Sequence, residues 1–326
     1  MDDPQIFQQR TDLSALNNAV GSIYSEIRKV IVGQDEMIRL ILTALLADGH
    51  VLIEGVPGVA KTLTAKLVAK SVDVGFNRIQ FTPDLMPSDV LGTPVFNPRE
   101  ASFEFKKGPV FNNLVLVDEI NRAPAKTQSA LLEIMEERQA SVDGKTYLMA
   151  NPFMVLATQN PVEHEGTYRL PEAQLDRFLF KILVPYPSEQ EEITILTQFH
   201  RMGNTPAQDM IKPAITGQQV IALRQQVKTL LIEERLLQFI GKLIHLTRNH
   251  KSIYLGASPR ASLAIMNASK ATAAMQGRDF VTPEDIINVA TPVLRHRIIL
   301  APDKEMEGIT EDEVIRQIIQ GMEVPR

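Results

Sequence analysis

The chain has 326 residues, 44% of them hydrophobic and 22% charged, with a formal net charge of -5. That balance excludes the collagen-like and disordered classes, and at roughly 100–200 residues per domain the length predicts two domains. The absence of cysteine excludes a disulfide framework, a thiolate nucleophile, an iron–sulfur cluster and cysteine-ligated zinc.

The first residues, Met1-Asp2-Asp3-Pro4, lack the basic segment and apolar stretch of a secretory signal. The longest aliphatic run, residues 40–47, is interrupted by Thr43 and falls far short of the ~18 residues a membrane span needs. A cytoplasmic location with no membrane span is therefore expected. Mild acidity, 6% aromatic residues and no tryptophan disfavour nucleic acid as a partner, because phosphate contacts need basic residues and single strands need stacking rings.

Along the chain, residues 12–47 carry apolar side chains at three- and four-residue spacing (Leu13, Leu16, Val20, Ile23, Ile27, Val30, then Met37, Leu40, Ile41, Ala44, Leu45). This predicts two amphipathic helices, broken at residues 31–34. A short apolar strand at 50–54, a glycine-proline loop and a helix at 62–71 follow. Further apolar runs at 79–81, 114–117 and 153–157 are separated by helical stretches such as 126–138, which is the pattern of a buried parallel sheet. Prolines at 185 and 187 close a last strand at 180–184, and a serine followed by acids opens a helix. From there helical periodicity dominates, at 191–199, 217–229, 234–249, 258–274 and 283–299. The last of these begins with a threonine cap, a proline and two acids. The expected fold is thus α/β, with a parallel-sheet domain over residues 1–187 and an all-α domain over 188–326.

Residues 55–62, Gly-Val-Pro-Gly-Val-Ala-Lys-Thr, lie between a predicted strand and a predicted helix. Glycines let such a loop turn its amides inward, the helix N-terminus adds partial positive charge, and Lys61 can reach the β- and γ-phosphates of a nucleotide. Thr62 would offer its hydroxyl to magnesium. Ala60 stands where the general pattern has glycine, which is tolerable only if the backbone there stays helical. Downstream, Leu114-Val115-Leu116-Val117 runs into Asp118-Glu119, placing two carboxylates at a strand end that faces the ligand crevice of a parallel sheet. Asp118 can hold magnesium through water, and Glu119 can polarise the attacking water. A third strand ends in Thr158-Gln159-Asn160-Pro161. Asn160 is the amide expected beside the acidic pair, although Asn-Pro alone is more often a turn.

Taken together, the segments 55–62, 114–123, 157–161, 170–178 and 256–261 resemble those of the AAA+ ATPases and, within them, the MoxR family. Ala60 matches that family. The resemblance implies a P-loop NTPase domain followed by a small helical lid, and an ATPase that uses ATP and Mg2+. It implies nucleotide contacts from Val32, Gly33, Gln34, Gly55, Val56, Pro57, Gly58, Val59, Ala60, Lys61, Thr62, Leu63 and Asp118, with Thr62 and Asp118 at the metal. Among the catalytic residues, Lys61, Glu119 and Asn160 are joined by Arg177 as a finger reaching the neighbouring subunit's nucleotide and by Arg260 as a second sensor on the lid. Arg169 stands where proline is expected before Leu170, so both Arg169 and Arg177 stand as candidates for the trans-acting arginine. The family further implies a hexameric ring, a protein client that is remodelled or matured, and a partner with a von Willebrand factor A domain.

Two hairpins are predicted. One lies near 93–105, at the position of an insert in the second helix of this branch. The other lies near 139–148 around Asp143-Gly144, a strong two-residue turn. In related proteins such hairpins touch substrate; Phe103 and Phe105 share a strand face and are substrate contacts or, more commonly, packing. The six histidines show no metal-ligand spacing, and His164 between Glu163 and Glu165 reads as a solvated loop. Rival functions are a magnesium-chelatase-like motor subunit, a nucleic-acid-dependent motor, and a scaffold that binds ATP without hydrolysis. The last would have no use for Glu119, Asn160 and Arg177.

Overall fold

A computed structural model describes residues 12–161, 168–202 and 206–325. In chain order they form α1 (Ser14–Arg28), α2 (Asp35–Leu46), β1 (Val51–Gly55), α3 (Lys61–Ser71), β2 (Phe76–Gln80), α4 (Pro87–Leu91), β3 (Gly92–Asn97), β4 (Ser102–Lys107), β5 (Leu114–Asp118) and α5 (Ala125–Glu137). Next come β6 (Gln139–Val142), β7 (Lys145–Leu148), β8 (Met154–Gln159), α6 (Glu172–Leu175), β9 (Phe180–Val184) and α7 (Glu189–Met202). The chain closes with α8 (Gly217–Thr229), α9 (Glu234–Asn249), β10 (Ile253–Leu255), α10 (Pro259–Met275), α11 (Pro283–Leu294), β11 (Ile299–Leu300), α12 (Pro302–Met306) and α13 (Glu311–Gln320).

Apolar segments without polar alternation need cover on both faces, and they find it in one five-stranded parallel sheet of order β2-β5-β8-β1-β9. All five residues of β5 are buried, as are the first five of β8. Helix α3 packs on β2 and β5, and α2 on β9. Beneath β5 and β8 the core gathers Phe81, Val115, Val117, Leu131, Leu132, Phe153, Val155 and Phe178. Because these strands are all parallel, the loops leaving β1, β5 and β8 open at the same end of the sheet, the C-terminal end where parallel sheets bind ligands.

Two compact units emerge. One spans Ile23–Ile221, and the other joins the described residues up to Ser22 with those from Ala222 onward. This division falls later than the composition change at 185–188 because the segment after α7 stays with the sheet: Ala214 N and Ile215 N donate to Ser71 O at 2.8 and 3.2 Å, and Lys70 Nζ donates to Gln208 O. In the other unit α10 packs against α9 and α11, and α13 against α9 and α11. Helix α11 begins with the cap expected of Thr282: Asp285 Oδ2 accepts from Thr282 N at 2.8 Å, while Arg278 clamps both carboxylate oxygens of buried Asp285 at 2.7 Å. This unit is not wholly helical. The helix predicted over 283–299 stops at Leu294, because Ile299 and Leu300 extend to pair antiparallel with β10. Both predicted hairpins form, as β3–β4 and β6–β7.

Candidate nucleotide site

The loop after β1 depends on one close approach and one positive φ at its glycines. A β-carbon on Gly55 would come within 2.9 Å of Val184 O, so β1 and β9 meet here only without a side chain. Gly58 then adopts φ 89°. Ala60 also lies at positive φ, 60° with ψ 19°, as the N-cap of α3. The expected helical backbone is therefore left-handed at this residue, which costs an alanine roughly 1–2 kcal/mol, and the loop sustains it while delivering Lys61 and Thr62 to the first turn of α3. Lys61 Nζ donates to Gly55 O across the mouth of the loop.

Beside this loop is a cleft of about 360 Å³, and on its walls meet Ala60, Lys61, Thr62, Asp118, Glu119 and Asn160, with Pro57, Gly58 and Leu63 from the loop and helix start. Asp118 is 8% exposed and tightly held. Its Oδ1 accepts from Thr158 Oγ1 at 2.6 Å, and its Oδ2 accepts from Thr62 Oγ1 at 3.2 Å. Thr158 Oγ1 in turn accepts from Glu119 N at 3.0 Å. Glu119 leaves the strand at φ 58°, ψ 54°, a conformation that costs a non-glycine residue energy and collects at functional sites. This turn swings its carboxylate aside from that of Asp118, so the two acids serve different positions in the cleft. Asn160 is 7% exposed at the end of β8.

Three cleft residues were not anticipated: Arg78, Gln80 and Thr158. Arg78 Nε donates to Asp118 Oδ2 at 2.8 Å. Gln80 Nε2 donates to Glu119 Oε2 at 2.7 Å, and Arg122 Nη1 donates to the same oxygen at 3.0 Å. Thr158 had a visible signal, a polar residue closing an apolar strand. Arg78 and Gln80 had little, because β2 is a sheet edge whose one buried residue is Ile79. The strand itself begins three residues before the apolar run that announced it.

Other expected site residues lie outside the cleft lining. Gly55, Val56 and Val59 shape the loop from behind. Val32, Gly33 and Gln34 form the turn before α2, where Gly33 and Gln34 both have positive φ, 66° and 57°. Gln34 Nε2 donates to Pro185 O at 3.3 Å, and a β-carbon on Gly33 would strike the carboxylate of Glu191. That carboxyl is held below the usual carboxylate range by hydrogen bonds from Ser188 N and Oγ, the cap that starts α7. Arg177 Nε lies 3.3 Å from Glu136 Oε2. Arg169 is exposed. Arg260 sits exposed in the first turn of α10, in the second compact unit, its N donating to Ser258 Oγ at 3.2 Å. Of the two hairpin phenylalanines, Phe105 packs on Tyr147 and Phe111, with ring centroids 4.4 and 5.8 Å apart, whereas Phe103 is 70% exposed against Phe96. His164 lies outside the described residues.

The donor set suits magnesium. Thr62 and Asp118 place two hard oxygens side by side, and among the described residues no cluster of three or more acidic or histidine groups forms an all-protein cage. Magnesium keeps several waters and takes one or two protein oxygens beside substrate phosphates.

The chain is similar to known proteins in both of its parts. The ATPase family associated with various cellular activities (AAA) matches residues 50–180, and the AAA lid domain matches residues 245–318. Chaperone MoxR1 of Mycobacterium tuberculosis is 45% identical over 92% of this chain and 81% of its own length. The uncharacterized protein YeaC of Bacillus subtilis is 46% identical over 95% of this chain and 96% of its own. The crystal structure of a protein from Cytophaga hutchinsonii assigned as an ATPase superposes with a TM-score of 0.89 at 43% identity, covering 96% of this chain and 97% of that one.

Proposed function

The chain belongs to the MoxR family of AAA+ ATPases, and we propose that it hydrolyses ATP with magnesium as one sector of a closed ring that remodels or matures a client protein. The observation carrying this reading is the single cleft onto which β1, β5 and β8 deliver Lys61, Thr62, Asp118, Glu119 and Asn160. Lys61 binds the β- and γ-phosphates once it leaves Gly55 O. Thr62 and Asp118 would hold magnesium, which when bound would neutralise phosphate charge. Glu119 orients and polarises the attacking water, and Asn160 contacts that water or the γ-phosphate. Val32, Gly33 and Gln34 lie against the adenine.

Arg177 completes the site of a neighbouring subunit, and Arg260 serves as the second sensor. An arginine supplied in trans makes each contact head-to-tail, which gives a ring where the rotation between subunits closes, and the proposed ring is a hexamer. The β3–β4 hairpin, whose Val95, Phe96 and Phe103 are exposed, and the β6–β7 hairpin pass the movement to the client. A von Willebrand factor A domain protein is the expected partner. No helix among the described residues is long and apolar enough to cross a membrane, and the cytoplasm is the proposed compartment.

The test is ATP turnover against protein concentration. Parent turnover per chain should rise with concentration. Glu119→Gln should lose about 10²–10⁴ in rate, as a general base does, and Arg177→Ala about 10³–10⁵, as a finger does. Turnover per chain that is flat on dilution removes the ring, and normal hydrolysis by Arg177→Ala in an intact ring removes the finger.

A further inference from the structure

Arg78 occupies the oxygen that the metal reading assigns to magnesium. Its Nε and Nη2 both lie 2.8 Å from Asp118 Oδ2, the same oxygen that accepts from Thr62 Oγ1. The other oxygen, Oδ1, is committed to Thr158 inside the sheet. Oδ2 is therefore the face of Asp118 open to the cleft, and a guanidinium already sits on it.

The two partners differ in freedom. The Asp118 side chain is 11% exposed and fixed by its two hydroxyl donors, whereas the Arg78 side chain is 51% exposed on an edge strand. Of the pair, Arg78 is the one that can move. Its second bond, Nη2 to Gln80 Oε1 at 2.9 Å, also explains the Gln80 amide. A guanidinium only donates and a carboxylate only accepts, so one amide orientation alone satisfies both Arg78 and Glu119.

A buried carboxylate needs a positive partner, and a charged group left without one is expensive. Resting on the assignment of Asp118 as a metal ligand, we propose that Arg78 is the resident counter-cation of Asp118, a positioning residue that must be displaced before a divalent cation binds there. Arg78 thereby sets the metal affinity of the site: it keeps Asp118 neutralised and in place when no metal is bound, and it weakens cation binding by the cost of breaking its own ion pair. Arg78 itself lines the cleft.

Mn2+ is a suitable probe, titrated into the full, nucleotide-free chain with free Mn2+ read by electron paramagnetic resonance. Arg78→Gln, neutral and of similar length, should bind one Mn2+ per chain about tenfold more tightly than the parent, a modest effect because the arginine is half exposed. Arg78→Lys, which keeps the charge, should stay within about threefold of the parent. Asp118→Asn should abolish the saturable site. If Asp118→Asn still binds, the metal assignment fails. If Asp118→Asn loses the site while Arg78→Gln binds no more tightly than the parent, the counter-cation role is overturned. A circular dichroism melt of each variant excludes misfolding as the cause.

Discussion

Arg177 Nε and Glu136 Oε2 lie 3.3 Å apart, so the arginine proposed to act on a neighbouring subunit is tethered within its own. The contact is ionic without a well-aligned hydrogen bond at Nε, and both side chains are about a third exposed. A pair of that kind contributes about 0–1 kcal/mol. A finger supplying about 10³–10⁵ in rate is worth several times more. The tether is weak enough to yield when a nucleotide is presented.

Glu136→Gln should therefore change ATP turnover of the assembled protein by no more than about fivefold, the equivalent of 1 kcal/mol, while Arg177→Ala costs at least about 10³. Steady-state turnover at saturating ATP and protein measures both. A loss of a hundredfold or more in Glu136→Gln would mean that Glu136 aims the arginine.

His50 illustrates a histidine whose role is structural. Val155 N donates to Nδ1 at 2.8 Å, which leaves Nε2 as the protonated nitrogen, 3.1 Å from Met135 O. The ring is 4% exposed and meets Phe153 edge-on at 5.6 Å. His50→Ala strands two buried backbone groups and opens a cavity, so it should lower the unfolding free energy by about 2–4 kcal/mol. His50→Asn, whose Oδ1 can replace the Nδ1 acceptor, should recover part of the loss. His50 precedes the N-terminal end of β1, opposite the cleft, so nucleotide affinity of the folded variants should match the parent. Urea unfolding and nucleotide titration separate the two effects, and an affinity loss in the folded Asn variant would contradict the structural role.

What the residues announce in advance follows from how local each signal is. The strand β5 was visible because four apolar residues in a row can only be buried on both faces. The strand-loop-helix turn at 55–62 was visible because its glycines, lysine and threonine are close together. The cap on α11 was visible because Thr282 and Asp285 are three residues apart. Arg78 and Asp118, by contrast, are forty residues apart and meet only because β2 pairs with β5, with Gln80 opposite Asp118 in register. No periodicity in β2 indicates that neighbour, since an edge strand with one buried residue carries almost no pattern. The partners of His50 lie 85 and 105 residues away, again supplied by the sheet. The β10–β11 pair was hidden for another reason: three residues and two residues are too short to show alternation.

Ala60 provides the last expectation, because its backbone and its side chain disagree. At φ 60° an alanine pays roughly 1–2 kcal/mol for the contact between its β-carbon and the following carbonyl, and glycine does not. Glycine in turn costs about 0.4–1 kcal/mol through the greater freedom of the unfolded chain. The first effect exceeds the second, so Ala60→Gly should stabilise the protein by a few tenths to about 1 kcal/mol. The loop amides need no rearrangement, so nucleotide binding should persist. Urea midpoints for parent and variant, read with the slope of the transition, test the sign. A destabilised Ala60→Gly would show that the methyl group contributes packing worth more than the strain it carries.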